Sequence, residues 1–323
     1  MDEWQRLFAM GAKDITVGKP WRGWKKGQFQ VHFIYTGVSE SMFMIFPDGT
    51  TMLVDCGDHN AIGRGKLAVP VLPGPHRHAG EWIARYIQRV NPNGNDVDYM
   101  MLSHYHSDHG GCTDFNAGMV ERDGRTYALS GFSQAAEYLH FGKAYDRGWP
   151  DYDDPIPLIE KSADCVSHMK SFFSYMTAHR GLEVEKFQVG AVDQIRMRRQ
   201  ASRYPGFSIR NICGNGRIAY QDGTIRDLYE GRKEGVQTLN ENGMSLGMIA
   251  EYGPFRFYSA GDFFDDKMHT VFNGEKMRIE KALSFAVDPV SVAKADHHAC
   301  WGNPTALIAA LRPTAAGRSA ISS

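Results

Sequence analysis

The order of apolar and polar positions predicts strands in the first part of the chain. Segments 28–36, 41–46 and 51–54 are rich in β-branched and aromatic residues, which favour strands. Pro47-Asp48-Gly49 predicts a turn between the last two, because proline fixes φ and glycine accepts a positive φ. The sequence therefore predicts a strand followed by a hairpin.

Helices and further strands are predicted beyond this hairpin. Residues 79–90 have the apolar spacing of an amphipathic helix, with Trp82, Ile83, Tyr86, Ile87 and Val90 on one face. The same reasoning predicts helices at 163–179 and 303–311 and strands at 97–102, 245–252, 255–259 and 290–295.

Hairpins followed by strands mixed with helices indicate an α+β sandwich in which helices cover packed sheets. Residues 1–28 are predicted to form an N-terminal extension, and residues 29–323 to form the folded domain. The stretches 116–160 and 190–240 follow this order of elements poorly, and we interpret them as insertions. Insertions near a site often shape its specificity.

Composition narrows the class of protein. The chain has 323 residues, of which 42% are hydrophobic, and a formal net charge of -1. This is ample for a buried core, and the charge argues against wholesale binding of nucleic acid while leaving room for a local basic patch. No run of about 18 apolar residues occurs, so no membrane span is expected.

Cysteine content and the N-terminus bear on the compartment. The five cysteines are far apart and form no CxxC pair, which argues against a disulfide framework or a structural zinc knuckle. The start of the chain lacks the apolar core of a signal peptide. We expect a cytoplasmic protein, or an exported one whose leader is absent from this sequence.

The main candidate for chemistry is the segment Ser103-His104-Tyr105-His106-Ser107-Asp108-His109-Gly110-Gly111. Alternate side chains of an extended segment share a face, so His104 and His106 can point the same way. A turn at Ser107 would then bring Asp108 and His109 to the same place. Imidazole and carboxylate are the usual nitrogen and oxygen ligands of zinc.

Four such groups within six residues suit a pair of metal ions. Two ions about 3.5–4 Å apart can hold both the attacking and the leaving oxygen of a hydrolysis. The two glycines that follow leave room where the chain must pass close to a metal or begin a helix.

HxHxDH followed by Gly-Gly resembles the signature of the metallo-β-lactamase superfamily. Segments 31–37 and 47–57 resemble the opening hairpin of its ComEC-like branch, and Tyr258–Asp262 resembles the strand of that branch that ends in Gly-Asp. Segment 292–298, which ends in His297-His298, and segment 303–313, which contains the helix predicted at 303–311, also match. The similarity covers about residues 29–316 and implies a four-layer αββα sandwich.

The resemblance also implies the role of each residue. His104 and His106 would bind one metal, and Asp108 and His109 the other. Asp262 would bridge the two ions, and either His297 or His298 would complete the second site. We favour His298 slightly. Asp55 would lie beneath the site and orient a ligand histidine.

One departure concerns the third histidine that the superfamily usually supplies to the first metal. The candidates here are His140, His168 and His179, of which the last two are expected to face solvent. Asp146 could serve instead as an oxygen ligand, or could simply cap a turn. Loss of one imidazole would weaken the first site and make a harder ion such as manganese an alternative there, although zinc is the expected ion of both sites.

An arginine-rich stretch lies in the second predicted insertion and contains Arg196, Arg198, Arg199, Arg203, Arg210 and Arg217. Guanidinium groups bind phosphate through two parallel hydrogen bonds. The alternative is an ordinary solvated strand surface.

The expected function is metal-dependent hydrolysis of a phosphodiester or related ester by activated water, with Asp108 or Asp262 orienting the water. The ComEC-like branch is associated with nucleic-acid processing, so a nucleic acid, a small molecule or a polymer ester are all candidate substrates. Hydrolysis of a lactam, lactone or thioester remains an alternative, as does a non-catalytic binding module with a degenerate metal site. The sequence does not predict the oligomeric state.

Overall fold

The structure is a computed structural model that describes residues 23–35, 37, 39–58, 72–155, 163–231, 236–238, 241–263, 271–272, 275–276, 279–299 and 305–312. In chain order the strands are β1 (Gln30–Phe33), β2 (Ser41–Ile45), β3 (Thr51–Cys56), β4 (Asp96–Met101), β5 (Met119–Arg122), β6 (Arg125–Ala128), β7 (His140–Asp146), β8 (Glu183–Lys186), β9 (Phe207–Gly214), β10 (Arg217–Ala219), β11 (Ile225–Asp227), β12 (Val236–Thr238), β13 (Gly247–Tyr252), β14 (Phe255–Ala260), β15 (Val271–Phe272), β16 (Glu275–Lys276) and β17 (Val292–Ala293). The α-helices are α1 (Ala79–Val90), α2 (Ser107–Gly110), α3 (Phe132–Ala135), α4 (Ala163–His179), α5 (Ile279–Leu283) and α6 (Thr305–Leu311), and 3-10 turns lie at Ala201–Arg203, Glu241–Met244 and His297–Ala299.

Two six-stranded sheets form the body of the molecule. The first has the order β1-β2-β3-β4-β7-β8, and the second has the order β11-β10-β9-β13-β14-β17. In the first sheet, β1, β2 and β3 are antiparallel neighbours, whereas β3, β4, β7 and β8 run parallel. In the second sheet, only the contact of β14 with β17 is parallel among the described pairs.

Three apolar clusters define four layers. One cluster lies between the sheets and joins residues of β2, such as Met42 and Met44, to residues of β9 and β13, such as Ile209 and Met248. A second packs the other face of the first sheet against α1 and α4, and a third packs the second sheet against α5 and α6. The order helix, sheet, sheet, helix confirms the αββα sandwich that the sequence predicts.

The predicted helices 79–90 and 163–179 have these bounds in the structure, and the hairpin is formed by β2 and β3. The strand predicted at 290–295 is shorter, because β17 is followed by the turn His297–Ala299. Both stretches interpreted as insertions supply strands to the main sheets, β7 from the first and β9 to β11 from the second. The domain boundaries stay a prediction, and residues 1–22 and 313–323 lie outside the described residues.

The parallel strands determine where the site lies. The carboxyl ends of β3, β4 and β7 meet at one edge of the first sheet, and Asp55, His104 and Asp146 lie at or just beyond these ends. Across the sandwich, β14 ends immediately before Gly261 and Asp262. Polar residues from both sheets therefore face one another at a single edge.

The longest described helix, α4, has 17 residues. Within the parts of the chain given above, no helix has the length and apolar character that crossing a membrane requires.

Candidate metal centre

His104 and His106 direct ring nitrogens at one point. The chain is extended after β4 and turns into α2 at Ser107, as the alternation of side chains predicts. His104 Nε2 and His106 Nδ1 lie 3.0 Å apart. His104 is fully buried, and burial together with the neighbouring His109 and His106 rings lowers its pKa well below the usual value. A neutral imidazole of this kind is what a metal ligand requires.

A second group forms around Asp262. Its Oδ2 lies 3.1 Å from His109 Nε2 and 3.3 Å from His298 Nε2. The same His298 nitrogen lies 3.1 Å from Asp108 Oδ2. The structure thus brings together two histidines and two aspartates that are spread over 190 residues of sequence.

The two histidines at 297 and 298 are placed differently. Both have φ of 52°, in the left-handed region, so they lie in a tight turn beyond the strand that the sequence predicts at 290–295. His298 joins Asp108 and Asp262, whereas His297 Nε2 is 3.9 Å from Asp262 and 3.4 Å from the side-chain nitrogen of Asn242.

Buried atoms in the second group fit a cation. Asp262 Oδ1 is buried and makes no hydrogen bond to the described residues, and the buried His109 Nε2 meets Asp262 Oδ2 at 3.1 Å without the geometry of a hydrogen bond. Leaving such atoms unsatisfied costs free energy, and a divalent ion with nitrogen and oxygen ligands would satisfy both. The donor set therefore fits zinc or a similar ion.

Charge interactions within the group are strong. Burial alone would raise the pKa of Asp262, but the His109 and His298 rings outweigh it and hold that pKa well below the usual value. Burial would lower the pKa of His298, yet Asp108 and Asp262 raise it to about 10. The carboxylates thus attract positive charge to this point, and a divalent cation would displace the ring protons.

Asp55 holds the histidine motif in place. Its φ is 55°, which turns the chain at the end of β3. Its carboxylate accepts hydrogen bonds from the Ser103 amide and hydroxyl, both at 2.7 Å, and lies 2.8 Å from His109 Nδ1. This is the position expected of a residue that orients a ligand ring.

Glu40 is a member of the group that the sequence analysis missed. One ligand atom each from Glu40, His109, Asp262 and His298 lie within 4.8 Å of one another. Glu40 is buried at the start of β2, where it precedes five buried residues. A carboxylate directly before a mostly apolar strand was the signal that the sequence offered.

Three residues considered as the third ligand of the first metal are either far from the site or paired with other groups of the protein. His140 begins β7, six residues before Asp146, and is therefore about 20 Å away at the other end of that strand. His179 is exposed and pairs with Asp123. Asp146 Oδ1 accepts hydrogen bonds from Tyr105 and from the amides of Gly148 and Trp149, so this oxygen caps a turn.

The expectation for His168 is wrong. It was expected to face solvent, but it is 2% exposed. The reason is its position in α4, three residues after Cys165 and four before Phe172, both of which are buried. Residues at this spacing share one face of a helix, so His168 lies on the apolar side.

A second polar network that the sequence did not reveal supports the histidine motif. Arg147 donates through Nε and an NH2 group to the two oxygens of Glu241, at 2.5 and 2.6 Å. Glu241 also accepts the backbone amide of Tyr105 at 3.2 Å. Arg147 is 1% and Glu241 3% exposed. This ion pair fixes the residue between His104 and His106.

Two arginines of the arginine-rich stretch form hydrogen-bonded ion pairs with carboxylates of the protein. Arg199 makes two hydrogen bonds to Asp98, at 2.7 and 3.1 Å, and Arg217 makes two to Asp154, at 2.7 and 2.8 Å. These two arginines connect parts of the fold to one another, a role that differs from both the phosphate site and the solvated strand surface considered above.

Gly57 gives a test of how tightly the centre is packed. A Cβ atom here would lie 1.8 Å from the backbone oxygen of Asp108. We expect Gly57→Ala to displace Asp108, to lower the free energy of unfolding by about 1–3 kcal/mol as overpacked substitutions do, and to reduce bound metal. Urea unfolding and metal analysis measure both effects.

The matched control is Gly206→Ala, whose Cβ would meet its nearest neighbour at an ordinary 3.6 Å. A Gly57→Ala protein with the urea midpoint and metal content of this control would contradict the packing argument.

Comparison with known proteins agrees with the fold and the motif. The sequence model of the Metallo-beta-lactamase superfamily matches residues 35–114, a segment that runs from before β2 through the histidine motif. No curated protein matches the chain. The chain has the metallo-β-lactamase fold, with a candidate metal site at the edge where the two sheets meet.

Similar solved structures are remote in sequence. Zn(2+)-bound PqqB from Methylobacterium extorquens is 12% identical, with a TM-score of 0.33 over 80% of this chain and 59% of that one. CmlA, a diiron β-hydroxylase from Streptomyces venezuelae, is 10% identical, with a TM-score of 0.35 over 91% and 40%. Unliganded yeast PDE1 is 9% identical, with a TM-score of 0.35 over 83% and 75%.

The chain thus spans less than two thirds of the length of the first two of these proteins. With TM-scores this low, none of the three bears on what the chain does.

Proposed function

We propose that the chain is a hydrolase that uses two divalent cations, preferably zinc, and acts on a phosphodiester or related ester. The observation that supports this most directly is the convergence of ligand atoms from both sheets on Asp262. One cation would be held by His104 and His106. The other would be held by Asp108, His109 and His298, with Asp262 shared between them.

The protein's own groups supply the rest of the mechanism. A divalent cation, when bound, lowers the pKa of a coordinated water to about 7 and stabilises charge that develops on the substrate. Asp108 and Asp262 each place an oxygen close to His298 Nε2, at 3.1 and 3.3 Å. In this proposal, one of the two carboxylates orients the attacking water and accepts its proton.

The preference for a phosphodiester rests on the resemblance to the ComEC-like branch. The arginine-rich stretch adds little to it, because Arg199 and Arg217 bind carboxylates of the protein itself. Lactams, lactones and thioesters are attacked by water in the same way, so the substrate class must be decided by assay.

The first metal has fewer nitrogen ligands than the superfamily usually supplies. Asp146 stays a proposed oxygen ligand through its Oδ2, which is buried and makes no hydrogen bond to the described residues. A site with two imidazoles and oxygen ligands would accept manganese as well as zinc.

The missing third histidine of the first metal also favours the second candidate function, a binding module with a degenerate site. Such a module need hold no metal. The enzyme requires about two ions per chain, so metal stoichiometry separates the two functions.

The test is metal analysis by mass spectrometry together with a bis-(p-nitrophenyl) phosphate assay with added zinc or manganese. We expect about two ions per chain and turnover that a chelator abolishes. If two ions are bound but the phosphodiester is not hydrolysed, the proposed substrate becomes a lactam, lactone, thioester or other ester. A protein that binds no metal after reconstitution would contradict the hydrolase and favour the binding module.

A further inference from the structure

Lys294 and Glu40 form a buried ion pair beside the candidate centre. Lys294 Nζ lies 2.9 Å from one Glu40 oxygen and 3.0 Å from the other. The side chains are 5% and 6% exposed. Removing two charges from water is costly, and such pairs are weak evidence of a stabilising role. The reason for burying this ion pair is therefore sought in the residues that surround it.

The pair joins the two halves of the site. On one side, the Glu40 amide donates to the backbone oxygen of Asp108 at 2.8 Å, which fixes Glu40 to the histidine motif. On the other side, Lys294 Nζ lies 3.5 Å from the backbone oxygen of Gly261, the residue before Asp262. Ligands contributed by the first sheet are thus connected to those contributed by the second.

Glu40 also stands behind a ligand ring. His298 directs Nε2 at Asp108 and Asp262, while its Nδ1 lies 3.9 Å from Glu40 Oε2. The other ring of the group also has a carboxylate behind it, at the shorter distance of a hydrogen bond, since Asp55 lies 2.8 Å from His109 Nδ1, whereas Glu40 and His298 are at the distance of an ion pair. A carboxylate behind a ligating imidazole sets the orientation of the ring and increases its basicity.

We propose that Glu40 and Lys294 are a positioning pair, in which Lys294 holds the Glu40 carboxylate behind His298, so that Glu40 orients this ring and is not itself a ligand of the cation. Both Glu40 oxygens are within 3.0 Å of the ammonium, so direct ligation would require the ion pair to separate. The inference rests on the proposed function only in requiring that the site binds metal.

The test is zinc titration of the metal-free protein in competition with a chromophoric chelator. The double variant Glu40→Gln, Lys294→Met removes both charges while nearly keeping side-chain volume, so it should fold. We expect one of the two zinc equivalents to bind about 10- to 100-fold more weakly, as when the outer partner of a ligand is lost, with the urea midpoint of the metal-free protein nearly unchanged.

The single variant Lys294→Met separates positioning from ligation. If Lys294 positions Glu40, zinc binding weakens. If Glu40 is itself a ligand, freeing its carboxylate strengthens zinc binding, and that result overturns the proposal. The matched control is Lys143→Met, Glu185→Gln, which removes an ion pair of 2.7 Å on the surface of β7 and β8 and should leave both equivalents unchanged.

Wild-type affinities in the double variant would also overturn the positioning pair while leaving the hydrolase intact. A wild-type protein that takes up no zinc would overturn the hydrolase, and the role of the pair with it.

Discussion

Replacing Asp262 with asparagine should lower turnover by more than about 100-fold, the upper limit of what loss of an outer partner of a metal ligand costs. Asp262 Oδ2 is the atom that both His109 and His298 approach, at 3.1 and 3.3 Å. An amide keeps the volume of the side chain but removes the negative charge that two cations would share. Steady-state assays and metal analysis of the same preparation measure the loss.

The fold should survive this substitution. The Asp262 amide donates to Ser245 Oγ at 2.9 Å, and this backbone contact is independent of the side chain. A suitable control is Asp296→Asn, since Asp296 is also buried and accepts a hydrogen bond from Tyr258 that an amide oxygen can accept equally. If Asp262→Asn keeps the activity of this control, the mechanism proposed above is wrong.

The ligands predicted most directly from sequence are those that lie together in it. His104, His106, Asp108 and His109 fall within six residues, and one strand end followed by one turn brings them together. Asp262, which follows an apolar strand and a glycine, and His298 were assigned mainly through the resemblance, because no local rule predicts that β14 and β17 bring them to β4. Their convergence is a property of the packed sheets.

The residues that the sequence did not reveal owe their roles to long-range contacts. Glu40 meets Lys294 across 254 positions, and Arg147 meets Glu241 across 94. A charged residue beside an apolar strand indicates that a partner must exist, but it does not say which one. His168 was within reach of sequence reasoning, since its spacing from Cys165 and Phe172 already placed it on the buried face of α4.

The largest effect on stability is expected from Arg147→Met. Arg147 makes hydrogen bonds to Glu241, to Asn215 and to the backbone oxygen of Asp154, and its guanidinium lies 4.8 Å from the centre of the Tyr105 ring. Methionine would leave Glu241 charged, buried and unpaired, which costs about 3–5 kcal/mol. Urea unfolding followed by circular dichroism measures the change in free energy.

An exposed pair of the same chemistry provides the control. Arg122 makes two hydrogen bonds to Glu137, at 2.6 and 2.7 Å, with side chains 27% and 30% exposed. Arg122→Met should cost less than about 1 kcal/mol, because exposed ion pairs contribute little. A loss in Arg147→Met no larger than this would contradict the assigned role of the buried pair.

The double variant Arg147→Met, Glu241→Gln should recover much of the stability, since neither side chain is then charged. The side-chain amide oxygen introduced by Glu241→Gln can still accept the Tyr105 backbone amide, so the backbone between His104 and His106 keeps that contact. Metal content should therefore fall in Arg147→Met and return in the double variant. Recovery of stability without recovery of metal would show that the guanidinium, and not the backbone contact, holds the histidine motif in place.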